Sequence, residues 1–263
     1  MFAILTVDRL IMKNPFLPRP LFIFAISALT LIFYSCENPD PNDLHDYYFP
    51  YESYSNGIVL EFRPDKIPQL GNEYWYVKSF TDSGRQFLLT QIFDDKLRFQ
   101  QYIREEYVSN GVLVRELRML RRTADSSAIL NIDINQNGVF PLYFKDSLTR
   151  YIYDISWYDP ADSLDYRLIR NRRITHREER MFLGKLRPSW HASTIEELET
   201  TGEGSTVSSW KGEEWYAKDI GLVYFSKQIT PEFERSYYLY KIHAWEDFEE
   251  EIGPSLIDPY RYK

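Results

Sequence analysis

The 263-residue chain contains a single cysteine, Cys36. One thiol cannot close an intramolecular disulfide, so the fold must be held by apolar burial alone. Histidine is scarce too. His45, His176, His191 and His243 include no two at the short sequence spacing of a zinc site. No G-x-S-x-G marks a nucleophile elbow. The GEGST at 202–206 lacks the G-K-[ST] that makes a phosphate loop, so no cofactor is indicated. Basic charge is in the minority, with 31 Lys and Arg against 39 Asp and Glu. An acidic chain repels nucleic acid, which removes it as a partner. After residue 35 no apolar run is long enough to span a membrane.

What is present begins with one charge-free apolar run at 21–35, LFIFAISALTLIFYS. It falls short of the roughly 20 residues a membrane-crossing helix needs, and it fits the apolar core of a signal peptide. Lys13 and Arg19 supply the basic region before it. Beyond Cys36 the chain turns polar at once, with Glu37, Asn38, Pro39 and Asp40. Residues 1–11 precede the basic region, so Met12 is the more natural start of such a signal.

Phe33-Tyr34-Ser35-Cys36, behind that basic start and short core, resembles the lipobox of bacterial lipoproteins, with Phe33 where leucine is usual. The resemblance implies that Cys36 carries acyl chains on its sulfur, becomes the mature N-terminus and anchors the protein in the bacterial outer membrane, facing the periplasm or the surface. A plain signal peptide or an uncleaved anchor is the alternative. The expected organisation is a signal peptide at 1–35, the lipidated cysteine and a flexible tether at 36–50, a β domain at 51–250 and a tail at 251–263. The Pro-, Asn- and Asp-rich stretch 37–46 has little to bury.

Aromatics make up 17% of the chain, with 21 tyrosines, a composition that favours strands. Short period-two segments are punctuated by turn residues. Strands are expected at 58–63, 73–80, 85–93, 97–108, 112–121, 128–134, 139–144, 151–157, 165–171, 174–183, 215–218, 221–228 and 236–245. Asn110-Gly111 and Asn137-Gly138 read as hairpin turns. In 112–121, Leu113, Arg115, Leu117 and Met119 are expected on one face. Ser193 or Thr194 can cap one short helix, with Glu196 and Glu197 in its first turn. Strands and helices do not alternate, which excludes a parallel α/β fold. The expected fold is mainly β: one large curved antiparallel sheet, as a half-barrel or barrel, with a β-sandwich as the alternative.

EEWYAKDIGLVYFSKQ at 213–228 pairs an aromatic strand (Trp215, Tyr216) with a turn at Asp219 and then Gly221-Leu222-Val223. A second aromatic strand, Ser236-Tyr237-Tyr238-Leu239-Tyr240, follows, and YYFPYESYSNGIVLEF at 47–62 enters the domain. These segments resemble the half-barrel domains of the lipoprotein carriers LolA and LolB. The resemblance implies a sheet wrapped over a helix, with a concave apolar face.

Four sets of residues are candidates for function. Trp75, Tyr76, Trp157, Trp215, Tyr237 and Trp245 would line a concave cavity for a lipid or other apolar ligand, or else fill the core. Arg167, Arg170, Arg172, Arg173 and Arg177 form a basic patch for an anionic partner, or a solvated strand face. Asp133, Asn135 and Asn137, ahead of Gly138, match the first half of a calcium loop. The closing carboxylate position is Phe144, and a hairpin turn explains the same residues. Cys36 is the lipidation site. These residues favour a non-catalytic, lipid-anchored envelope protein that binds an apolar ligand. A structural lipoprotein docking another envelope protein is the second reading, and a hydrolase the third.

Overall fold

A computed structural model describes residues 40–123 and 127–256. Cys36, the apolar run 21–35 and residues 257–263 lie outside the described residues. The chain from Asn42 onward forms one compact unit.

Among the described residues, thirteen strands form one antiparallel sheet. They are β1 (Ile58–Pro64), β2 (Glu73–Asp82), β3 (Arg85–Phe93), β4 (Phe99–Val108), β5 (Gly111–Arg122), β6 (Ser127–Asn131), β7 (Asp133–Pro141), β8 (Tyr151–Asp159), β9 (Leu164–Phe182), β10 (Lys185–Thr201), β11 (Ser205–Ala217), β12 (Gly221–Thr230) and β13 (Phe233–Ala244). Neighbours in sequence pair around a ring, and β13 closes it onto β1. β6 and β7 lie along the same edge of β5 and are joined through Ile132, whose N–H donates to Leu117 O. The result is a closed barrel of twelve strands, with β6 as an extension. Of the expected half-barrel or barrel, the sheet forms the full barrel, which leaves the ring no free edge.

Three expectations change in this frame. The stretch 193–200 is not a helix but the middle of β10. Its Glu196 and Glu197 alternate between the inside and outside of the barrel, so no helical apolar stripe exists. The short helix is instead α1 (Glu249–Ile252). Asn137-Gly138 is not a turn but lies inside β7, opposite β8. In β5 a bulge at Arg115 shifts the alternation. Val112 and Val114 therefore point inward, followed by Leu117 and Met119, while Leu113 and Arg115 point outward.

The barrel is capped at one rim. Residues 42–57, in part expected as tether, fold into the turns His45–Tyr47 and Glu52–Tyr54 and plug it. Leu44 is fully buried, and Tyr47, Tyr48, Phe49 and Tyr54 are nearly so, because five large, mostly apolar side chains leave water readily when a barrel mouth stands beside them. Leu44 N–H donates to Leu142 O, Asp219 N–H to Asp46 O, and Tyr54 Oη to Ile220 O. The turns at 109–110, 183–184 and 218–220 share this rim.

A second apolar cluster sits outside the barrel wall. Val59, Tyr76, Leu89, Phe93 and Tyr102 are covered by the C-terminal segment, in which Ile252 is fully buried. Strands β1–β4 are therefore buried on both faces over much of their length, and β1 opens with three consecutive apolar residues, Ile58-Val59-Leu60, before Glu61.

Candidate functional site

The barrel interior is not filled. A cavity of about 290 Å³ runs from the plug residues Tyr48 and Phe49 toward the opposite rim. One side is apolar, formed by Trp75, Ile92 and Ile103 from β2–β4 with Leu222 and Phe225 from β12. The other is ionic, formed by β9, β10, β11 and β12. Its geometry follows from period two. Arg170 and Arg172 point inward from β9, Thr194 and Glu196 from β10, Gly212 and Glu214 from β11. Gly212 is needed there because a Cβ would meet Ser226 O and lie 2.7 Å from Thr194 Oγ1.

The interior charges hold one another. Arg172 grips Glu214 with Nε to Oε2 at 2.6 Å and Nη2 to Oε1 at 3.0 Å. Its Nη1 also donates to Val139 O. Tyr216 Oη donates to Glu214 Oε2 at 2.7 Å. Burial opposes ionisation of Glu214, but Arg172 outweighs it and holds the carboxyl below its usual range. Glu196 takes Arg170 Nε on Oε1 at 2.6 Å and Lys227 Nζ on Oε2. Two cations on one carboxylate overcome its desolvation and lower its pKa to about 2. Lys227 also stands 3.9 Å from the Trp210 ring centroid. Arg235 pairs with Glu73, which accepts Trp75 Nε1 at 3.0 Å.

Glu105 is different. It faces the cavity from β4 and touches no cation; Tyr48 Oη lies 2.9 Å from each of its oxygens. Burial dominates and raises its pKa to about 7, with Tyr48 and the more distant Arg172 pulling the other way.

The residues singled out from sequence scatter across the barrel. Of the six aromatics, Trp75 lines the cavity. Tyr237 stacks on Phe225 beside it at 5.2 Å. Tyr76 and Trp245 pack together at 4.5 Å in the outer cluster. Trp215 contacts the rings of His176 and His191. Trp157 stacks on Tyr166 at 5.2 Å over a second hollow, beside Asp133, Asp165 and Glu199. The arginine patch divides between two faces. Arg170 and Arg172 are inside, Arg167 clamps the buried Asp154 from outside, Arg173 is exposed, and Arg177 lies over the Tyr47 ring. Of Asp133, Asn135 and Asn137, Asn135 donates to Asp154 Oδ1 at 3.1 Å, and all three lie along a strand where no loop encircles an ion. Among the described residues no three His, Cys, Asp or Glu are placed to hold a metal. His176 and His191, far apart in sequence, meet across β9 and β10 with ring centroids 4.9 Å apart.

Sequence reasoning passed over Glu105, Glu196, Glu214 and Tyr48, which build the site. A usable signal existed: charged residues at i and i+2, as in Arg170-x-Arg172, beside a strand carrying Thr194 and Glu196 at the same spacing.

No protein-family model matches this chain, and no curated protein matches it in sequence. Two solved structures are similar in part. One is described as a "putative lipoprotein" from Parabacteroides distasonis, with 12% identity, 76% of this chain and 97% of that one covered, and a TM-score of 0.49. The other is a "putative exported protein with YmcC-like fold" from Bacteroides fragilis, with 11% identity, 75% and 99% covered, and a TM-score of 0.39.

Proposed function

We propose that this is a lipid-anchored protein of the bacterial outer membrane whose barrel binds a small ligand without transforming it. The observation that carries the binding reading is the interior cavity, apolar on one side and ionic on the other. Its volume of about 290 Å³ stands at the low end of the roughly 300–1,000 Å³ of small-molecule sites. A ligand of that size has an apolar part to lie on Trp75 and Phe225 and a polar part to meet Glu105 and Lys227. A diacyl lipid is too large, so the apolar ligand expected from the aromatics narrows to a compact amphipathic one. Of the cavity's four acids, Glu73, Glu196 and Glu214 are each held by a cation, and Glu105 faces only the Tyr48 hydroxyl with no nucleophile or second acid paired to it, an arrangement that favours recognition over chemistry. The anchor reading is supported by the lipobox-like sequence ending at Cys36.

Native mass spectrometry of the full chain released from detergent tests the binding. The expected spectrum carries a small extra mass that organic extraction removes and that Ile103→Trp, which fills the cavity, abolishes. A clean apo mass that stays clean after exposure to an envelope extract would sink the reading.

A further inference from the structure

The hairpin joining β9 and β10 reaches beyond the barrel. β9 loses its partner β8 after Arg172, and β10 first meets β11 at Ser189. Past those points the strands pair in the ladder only with each other, as far as Phe182 and Lys185, with one further tie at the base, where Lys218 N–H donates to Pro188 O at 3.0 Å. The ribbon ends in a two-residue turn, Leu183-Gly184, with positive φ at both positions as a tight hairpin requires. Beyond the Ser189–Glu178 pair, four residues of each strand project, about 13 Å at strand rise. An isolated two-stranded ribbon is marginal in water.

Its tip is apolar. Met181 is 64% exposed, Leu186 59% and Leu183 39%. The same rim presents Leu148 at 78% from the loop between β7 and β8. A cluster of exposed large apolar side chains on one rim marks a contact surface. Charge narrows the partner. Arg177, Arg180, Lys185 and Arg187 flank the tip, against Glu178 and Glu179, and make it locally cationic in a chain of net charge −8. Apolar residues at the end with basic side chains behind them match the bilayer interface, where the tip enters and the cations meet anionic headgroups.

Chain direction supplies the second argument. The plug enters the barrel at this rim, and its Tyr47 packs against Trp190 at the base of the hairpin. Arg177 on the hairpin covers the Tyr47 ring. Cys36 lies only six residues before Asn42, where the compact unit starts. The described domain thus begins at the same rim that carries the apolar tip.

The geometry points to the β9–β10 tip, Met181, Leu183 and Leu186, as a membrane-docking element that sets the barrel upright on an anionic bilayer with its plugged rim down. This rests on the lipid-anchor reading for the direction of approach. In the acylated full chain Cys36 sulfur is blocked, so Leu183→Cys introduces one free thiol for a bimane label. The protein is reconstituted in vesicles of phosphatidylethanolamine and phosphatidylglycerol at three to one, with a shallow nitroxide lipid as quencher. Gly204→Cys, on the opposite rim in open space, is the control. The acyl mass on Cys36 is read on the same samples. Docking predicts that the label at 183 loses more than half its emission and the label at 204 almost none. Equal quenching at the two positions, or none at 183, overturns docking whether or not Cys36 is acylated. The unacylated case is read on a Cys36→Ser background, where residue 183 carries the one thiol; quenching there removes the anchor and keeps the docking surface. If residue 183 resists maleimide in cells yet is neither quenched nor protected in vesicles, a protein covers the tip and the membrane assignment fails.

Discussion

The two sides of the barrel wall solve one problem differently. Strands β1–β4 face inward with Leu60, Phe62, Val77 and Leu88, and outward with Val59, Leu89 and Phe93 under the C-terminal segment. Strands β9–β11 face inward with Arg170, Arg172, Glu196 and Glu214, and outward largely to solvent. The first side is held by transfer of apolar surface from water. The second holds charges that would each be costly alone and are tolerated only as pairs. The comparison shows that a disulfide-free barrel can keep an open interior when one wall is sealed on both faces and the other is bound by ions.

The largest expected effects set the two walls against each other. Phe62→Ala leaves a void in the sealed wall and costs about 3–5 kcal/mol. Arg172→Met strands Glu214 in the interior and costs a similar ~3–5 kcal/mol. Adding Glu214→Leu to Arg172→Met should recover most of that loss, whereas no polar substitution beside Phe62 should recover its own. Urea denaturation of the three variants checks this. Failure of the double variant to recover would show that Arg172 works through Val139 O instead of Glu214.

The next contrast lies within the ionic wall and is read by pH. Glu196 has its folded pKa lowered to about 2 from 4.5. Its contribution is present above about 4.5 and is lost as pH falls toward about 2, a loss of up to ~3 kcal/mol. Glu105 is shifted the other way, to about 7. Its protonated form suits the folded state, so stability falls by up to ~3 kcal/mol between about pH 4.5 and 7 and is flat above that. Unfolding midpoints across pH should therefore lose the neutral-side slope in Glu105→Gln and keep the acid-side loss. A slope unchanged by that substitution would show that Glu105 already ionises near 4.5 in the folded protein. The smallest effect belongs to the outer face of β9: Arg173→Ser is exposed and should shift stability by no more than ~0.5 kcal/mol.

The same contrast explains what could be read from sequence. The expected strand 85–93 coincides with β3, and 58–63 and 73–80 fall inside β1 and β2, because buried β-branched and aromatic residues between turn formers have one reading. In the ionic wall that code is ambiguous. The expected break between 165–171 and 174–183 is absent from β9, whose interior arginines look like a surface run. Thr194-Ile-Glu-Glu imitates a helix cap while serving as a strand with one glutamate on each side. Asn137-Gly138 carries turn chemistry but sits where the Ile152 carbonyl passes 3.3 Å from a would-be Cβ of Gly138, so the glycine serves close strand approach. The cavity was illegible for a related reason. A pocket built of mutually paired charges has the composition of a solvated face, and only register, which a sequence does not print, shows the partners turned toward each other.

The plug has a mechanical consequence. Residues 42–57 close the barrel, and two of them, Tyr48 and Phe49, are also the floor of the cavity, with the Tyr48 hydroxyl on Glu105. A pull on the chain upstream of Asn42 is therefore a pull on that floor. Tension applied there would reach the cavity before it reached any strand of the wall, and would open the cavity from below while the hydrogen-bonded ring stayed shut.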